Sequence, residues 1–151
     1  MKRFHFSLES VQKLRLQQLE SEEAKLAPMY REMETIEESG RLIKLELSRE
    51  EMRIADPSLT LRSFDFELLD RFRQFSVRRN EQLQRRKQNC QQRIEEQLLC
   101  IRLAKQKHEL LEKLRQRGLA EWHTKLNKEL DALAEEVFIA QWKPRRRRAN
   151  G

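Results

Sequence analysis

The sequence predicts an all-α protein of two long helices folded back on each other as an antiparallel coiled-coil hairpin. Three observations lead there. Ala, Leu, Glu, Lys and Arg supply 85 of the 151 residues, 56 %, while Gly and Pro together number six. That composition suits long helices, and it lacks the turn residues of a sandwich or barrel and the glycine cluster of a phosphate loop. Apolar residues recur in alternating steps of three and four, the a/d spacing of a coiled coil. The third observation is one strong break, Ile54-Ala55-Asp56-Pro57-Ser58-Leu59-Thr60-Leu61-Arg62-Ser63. There Asp-Pro forces extended backbone, and Ser58, Thr60 and Ser63 offer side-chain oxygens to start a new helix.

The first helix is expected over about residues 7–55, with Ser7 as its N-cap. Its seam runs through Leu19, Glu22, Leu26, Met29, Met33, Ile36, Gly40, Ile43, Leu47, Glu50 and Ile54, eight of eleven positions being apolar. Pro28 removes one backbone hydrogen bond and kinks the axis, and Gly40 permits close approach or bending. The turn falls at about 56–63.

The second helix is expected over about 64–142, with Pro144 ending it. Its looser seam passes through Leu83, Lys87, Cys90, Ile94, Gln97, Ile101, Ala104, His108 and Leu111. After a phase shift near Gly118 it continues through Leu126, Leu130, Leu133 and Val137. At about 1.5 Å per residue the helices would measure roughly 70 Å and 115 Å. A narrow seam needs a partner and the loop is short, so residues 1–142 are expected to form a single hairpin whose longer second helix projects past the first. Residues 143–151 would be a basic, disordered tail.

The net charge of +7 is uneven: residues 1–75 carry 13 basic and 15 acidic groups, residues 76–151 carry 19 and 10. Attraction to an acidic partner therefore belongs to the second half. No apolar run exceeds four residues, as in Leu98-Leu99-Cys100-Ile101, too short to span a bilayer, and Met1 to Ser10 lacks a signal peptide's apolar stretch. A cytoplasmic protein is expected, with Cys90 and Cys100 as reduced thiols.

Catalytic motifs are missing from the sequence: it holds no Walker loop, dinucleotide fingerprint, nucleophile elbow or His-Glu-x-x-His. His108 and Glu112 stand one turn apart but read as an incidental pair, so no catalytic residue, metal or cofactor is expected. Three features could recognise something. Phe64, Phe66, Phe72 and Phe75 with Leu68 and Leu69 form an apolar arc wider than one seam covers, either a plug closing the hairpin end or a partner site. The series Arg71, Arg78, Arg85 and Arg79, Arg86, Arg93 each repeat every seven residues. They are a solvated face, or form salt bridges with Glu32, Glu34, Glu37 and Glu38 of the first helix, or make a docking strip for an acidic partner. The run Lys143-Pro144-Arg145-Arg146-Arg147-Arg148 could bind nucleic acid, acidic lipid or an acidic protein surface.

The opening Phe4-His5-Phe6-Ser7-Leu8-Glu9-Ser10-Val11 with Leu14-Arg15 resembles a known family. So do the Glu-rich first helix, Phe66-Glu67-Leu68-Leu69-Asp70-Arg71-Phe72-Arg73-Gln74-Phe75, Leu110-Leu111-Glu112-Lys113-Leu114 and Leu133-Ala134-Glu135-Glu136. Together they are similar, over essentially the whole chain, to the flagellar export protein family FliJ. The resemblance implies a cytoplasmic antiparallel coiled-coil hairpin serving the flagellar type III protein export apparatus, and hence flagellum biogenesis and motility.

In that family the joined helix termini enter the pore of the hexameric export ATPase FliI like a rotary stalk. The hairpin contacts the membrane export gate protein FlhA, which would make the protein peripheral at the inner membrane, and export chaperones are further partners. Carried over, the ATPase-facing end would comprise Phe4, Phe6, Leu8, Val11, Leu133, Val137 and Ile139 with Arg145, Arg146, Arg147 and Arg148. The gate-facing surface would comprise Leu69, Phe72, Phe75 and Leu83. Neither small-molecule substrate nor nucleic acid is expected. Two other classes stay open: a scaffold coiled coil that pairs with a second copy, and a nucleic-acid-associated coiled coil binding through Arg145 to Arg148.

Overall fold

A computed structural model describes the backbone over residues 2–148 and side chains over residues 2–142. Three helices follow one another: α1 over Glu9–Ala24, α2 over Leu26–Ala55 and α3 over Ser63–Arg148.

The expected first helix thus comes in two pieces, and the reason is local. Pro28 has no N–H to give the carbonyl of Ala24, and just before it the Lys25 N–H bonds back only three residues, to Glu22 O at 3.3 Å. The helix tightens and breaks at Lys25, then restarts with Pro28 in the first turn of α2, where a missing N–H costs little. The start of α1 also differs from the expected Ser7 cap. The Glu9 N–H bonds to Phe6 O at 3.1 Å and the Gln12 N–H to Leu8 O at 2.9 Å, so Ser7 lies a residue too early to cap.

The turn falls where Asp56-Pro57 demanded it. Asp56 closes α2 in an extended conformation, φ −68° and ψ 116°, and its Oδ1 accepts both the Ser58 N–H at 2.9 Å and the Ser58 hydroxyl at 2.7 Å. Those two bonds, the backbone one first, hold the Asp56 carboxyl below its usual range. At the start of α3 the Asp65 carboxylate, rather than Thr60 or Ser63, reaches back to the Arg62 N–H at 2.9 Å. That is the returning half of a capping box, and it places an anion at the positive helix end.

Pro144 does not end α3. The helix continues through it, with helical backbone to Arg148. Proline's fixed φ suits a helix, and its costs there are the lost bond to the carbonyl four residues earlier and the crowding of that carbonyl by the ring.

Contacts sort the expected single hairpin into two compact units, residues 19–104 and residues 1–18 with 105–151. In the first, α1 and α2 run antiparallel to α3. The Gln97 amide donates to the Glu22 carbonyl at 2.8 Å and to its carboxylate at 2.7 Å. Further along, Arg93 pairs with Glu32 at 2.7 Å, Lys87 with Glu37 at 3.3 Å and Arg73 with Glu51 at 3.0 Å. Its core is the cluster Ile36, Leu83, Cys90 and Ile94, against which Leu26, Met29, Met33 and Ile43 pack. Every expected seam position from Leu19 to Ile54 is buried or half-buried, as is every one from Leu83 to Leu111. Cys90 is fully buried and gives its S–H to Met29 O at 3.4 Å.

In the second unit Gln12 bonds to Glu112, and ten residues earlier in the first segment and ten later in the second, Trp122 Nε1–H donates to Lys2 O at 3.3 Å. This register is antiparallel too. Gly118 is half-buried on the seven-residue line of Leu111, and from it the half-buried positions step by four twice, to Trp122 and Leu126, so the expected phase shift falls just past Gly118.

Candidate functional site

Among the described residues no group of three His, Cys, Asp or Glu side chains could hold a metal. Glu112, the partner considered for His108, is taken up by Gln12 and lies 3.8 Å from Arg115, and His108 Nδ1 is buried without a hydrogen bond. The surfaces that can recognise something are apolar and basic.

The first lies on α3 in the unit formed by residues 1–18 and 105–151. Ahead of α1 the Phe4 ring sits 6.2 Å from the Trp122 ring at a 59° tilt. A Cβ placed on Gly118 would meet that ring at 3.7 Å, ordinary contact distance, so the ring packs over residue 118 without requiring a glycine. Phe4 therefore docks at residues 118–122, away from Leu133, Val137 and Ile139, the residues grouped with it at the expected ATPase-facing end. Phe6 is half-buried, whereas Leu8 and Val11 are exposed.

Every residue from Asn127 to Trp142 is exposed. On this stretch Leu130, Leu133 and Val137 continue the apolar stripe, with Val137 55 % exposed and its neighbour Phe138 68 %. Ala134, Glu135, Phe138 and Ile139 border a shallow hollow of about 430 Å³. The stripe was legible from its spacing. Phe138 was not, because it stands about 100° from Val137 around the helix, outside any a/d pattern. Arg145, Arg146, Arg147 and Arg148 continue the helical backbone, and their side chains lie outside the described residues.

The second surface lies beside the turn in the unit of residues 19–104. The expected gate-facing set is divided there. Leu69 and Leu83 are buried in the seam and Phe72 is half-buried, so of the four only Phe75, 59 % exposed, offers a free face. Leu69 and Leu83 are corrected to core: each falls on the three-four spacing that α2 covers, which a helix-wide count of apolar residues hides. The exposed apolar groups are instead Phe64, Phe66, Leu68 and Phe75. Next to them a groove of about 790 Å³ runs between the end of α2 and the start of α3, floored by Ile54, Leu69 and Phe72.

The arginine series is also divided. Arg93 is committed to Glu32, which raises its pKa further. Among the described residues Arg71, Arg78, Arg85 and Arg86 have no ion pair, and Glu38 pairs with Arg41 of its own helix at 2.6 Å. At the polar step in the seam the Gln97 amide, then Lys25, hold the Glu22 carboxyl below its usual range.

No helix among the described residues is long and apolar enough to cross a membrane. No family model, curated protein or solved structure matches this chain.

Proposed function

We propose that this chain is a non-enzymatic, stalk-like coiled coil of a flagellar type III export apparatus, in the manner of the FliJ family its sequence resembles. Its partners in that reading are the hexameric export ATPase FliI, the membrane gate protein FlhA and export chaperones. It would act in the cytoplasm at the inner membrane. The observation that carries the reading is the exposed stripe Leu130, Leu133, Val137 and Phe138 on a helix face that the N-terminal segment does not cover. Soluble proteins seldom leave such a stripe in water without a use for it. A lone helix offering apolar groups on several sides can meet the non-equivalent positions of a ring differently in turn, which a symmetric plug could not.

The test is ATP hydrolysis by the purified export ATPase with and without this protein. Stimulation by the parent chain and its loss in Leu133→Asp/Val137→Asp, with helicity and melting unchanged, is the expected result. No stimulation by the parent chain would overturn the reading. If it instead shows a concentration-dependent mass that the same double variant abolishes, the stripe pairs two copies and the protein is a scaffold.

A further inference from the structure

Between Leu68 and Arg93 the carboxylates of α3 keep to one side, where Arg73 and Lys87 are paired with Glu51 and Glu37 of α2. Relative to the buried line Leu69, Ser76, Leu83 and Cys90, the other flank holds three rows that each repeat every seven residues: Leu68, Phe75, Gln82, Asn89; Arg71, Arg78, Arg85, Gln92; and Phe72, Arg79, Arg86, Arg93. No carboxylate occurs in these rows, while Asp70 and Glu81 fall on the opposite flank. Of the α2 carboxylates, Glu32 pairs with this flank, and Glu46 and Glu50 line the groove together with Arg71. Glu32 is paired with Arg93 and Glu50 with Arg53 at 3.0 Å, and the groove also receives Arg49. Arg71, Arg78, Arg85 and Arg86 are left exposed and without ion pairs among the described residues.

Solvation alone does not account for this arrangement, because a solvated helix face normally interleaves both signs. Of the six arginines along this side Arg93 is matched by Glu32, and the other five repel one another unless something acidic lies over them. Nor is the strip purely ionic. Phe64, Leu68 and Phe75 stand exposed at its end beside the groove, and all six cations are Arg, whose planar fork binds carboxylates in pairs where Lys offers a point charge. A partner that matches a seven-residue repeat, covers apolar groups and carries carboxylates at its edges is itself an amphipathic helix.

We propose that the flank of α3 formed by Leu68, Phe75 and the unpaired Arg71, Arg78, Arg85 and Arg86 docks an acidic amphipathic helix of a partner protein. That helix lays its apolar side on Phe64, Leu68 and Phe75 and turns its carboxylates to the arginine rows. The flank shares Phe75 with the expected gate-facing set, but its test uses neither the ATPase nor the α3 stripe beyond Asn127, so it can fail without the ATPase test failing.

The experiment is fluorescence anisotropy with the full chain. Three labelled probes are used: a synthetic helix of about three heptads with Leu at its seam and Glu beside it, the same helix with Lys for Glu, and a single-stranded RNA of about 20 nucleotides. The acidic helix should bind and the basic one should not. Arg71→Glu/Arg78→Glu/Arg85→Glu and Leu68→Ser/Phe75→Ser should each weaken binding about tenfold or more. Arg102→Glu, outside the flank, should leave it unchanged. All these side chains but Leu68 and Phe75 are polar and exposed, and those two are at least half exposed, so melting temperatures should stay within about 2 °C of the parent.

No binding of the acidic helix below about 1 mM, or equal binding by the triple-arginine variant, overturns the proposal. RNA binding that the arginine changes abolish and Leu68→Ser/Phe75→Ser leaves intact would overturn it in favour of a nucleic-acid strip.

Discussion

Leu83→Ala and Phe75→Ala, eight residues apart on one helix, should behave as opposites. Leu83 is 3 % exposed and belongs to the cluster with Ile36, Cys90 and Ile94, whereas Phe75 is 59 % exposed. Trimming Leu83 removes three carbon groups from the seam, worth roughly 0.8 kcal/mol each, or about 2.4 kcal/mol in transfer energy alone. A residual cavity adds to that, though a seam only two helices thick can close over part of it, so the loss should be about 2.5–3.5 kcal/mol. Phe75→Ala removes a larger side chain but returns little surface to water, and should cost less than about 1 kcal/mol. Both residues lie in the unit of residues 19–104, so one transition reports on both. Urea unfolding followed by circular dichroism should show the midpoint for Leu83→Ala about 1–2 M below the parent, given slopes of about 1–3 kcal/mol per M. Phe75→Ala should stay close to the parent. A Leu83→Ala midpoint indistinguishable from the parent, or an equal fall for Phe75→Ala, would refute the assignment of Leu83 to the seam and Phe75 to the surface.

Other outcomes follow from local geometry. Gln97→Leu removes the leading cause of the depressed Glu22 pKa, so carboxyl titration by NMR should show Glu22 moving up toward 4.5. The sign is that of a carboxylate held low in the folded state: its contribution is present above the unfolded value and is lost as pH falls through the folded one. The variant should therefore lose less stability than the parent on acidification below about 4.5. Pro28→Ala supplies the missing N–H for Ala24, and should join α1 to α2, visible as slower amide exchange at residues 25–28. Gly118→Ala meets the Phe4 ring only at ordinary contact distance and Gly40→Ala meets nothing within 4 Å. Each should raise stability by about 0.5–1 kcal/mol in thermal melts, because alanine loses less freedom than glycine in a helix.

The groove beside the turn and the arginine flank show how far a sequence reading of surfaces reaches. The seven-residue arginine repeat was visible as a pattern, but which members were spent on α2 was not. Glu32, Glu34, Glu37 and Glu38 were all equally plausible partners by composition. Register chose Glu32 for Arg93 and gave Glu37 to Lys87, while Glu38 turned to Arg41 on its own helix. The aromatic cluster was likewise visible as an excess of apolar residues over one seam. Its division into buried Leu69 and exposed Phe64, Leu68 and Phe75 required knowing which line of α3 faces α2.

The sequence by itself determined that the chain is helical, where it turns and which residues line the seam. Composition, three-four spacing and the geometry of Asp56-Pro57 act over a few residues and need no partner to take effect. Tertiary structure alone decided register: that Phe4 finds Gly118 and Trp122 and leaves Leu133, Val137 and Ile139 exposed. A coiled-coil seam is nearly the same at every heptad, so local pattern scarcely distinguishes one axial offset from another. The offset is set by a few unlike contacts, such as Gln97 with Glu22 and the Phe4 ring against Trp122, whose partners lie far apart in the chain.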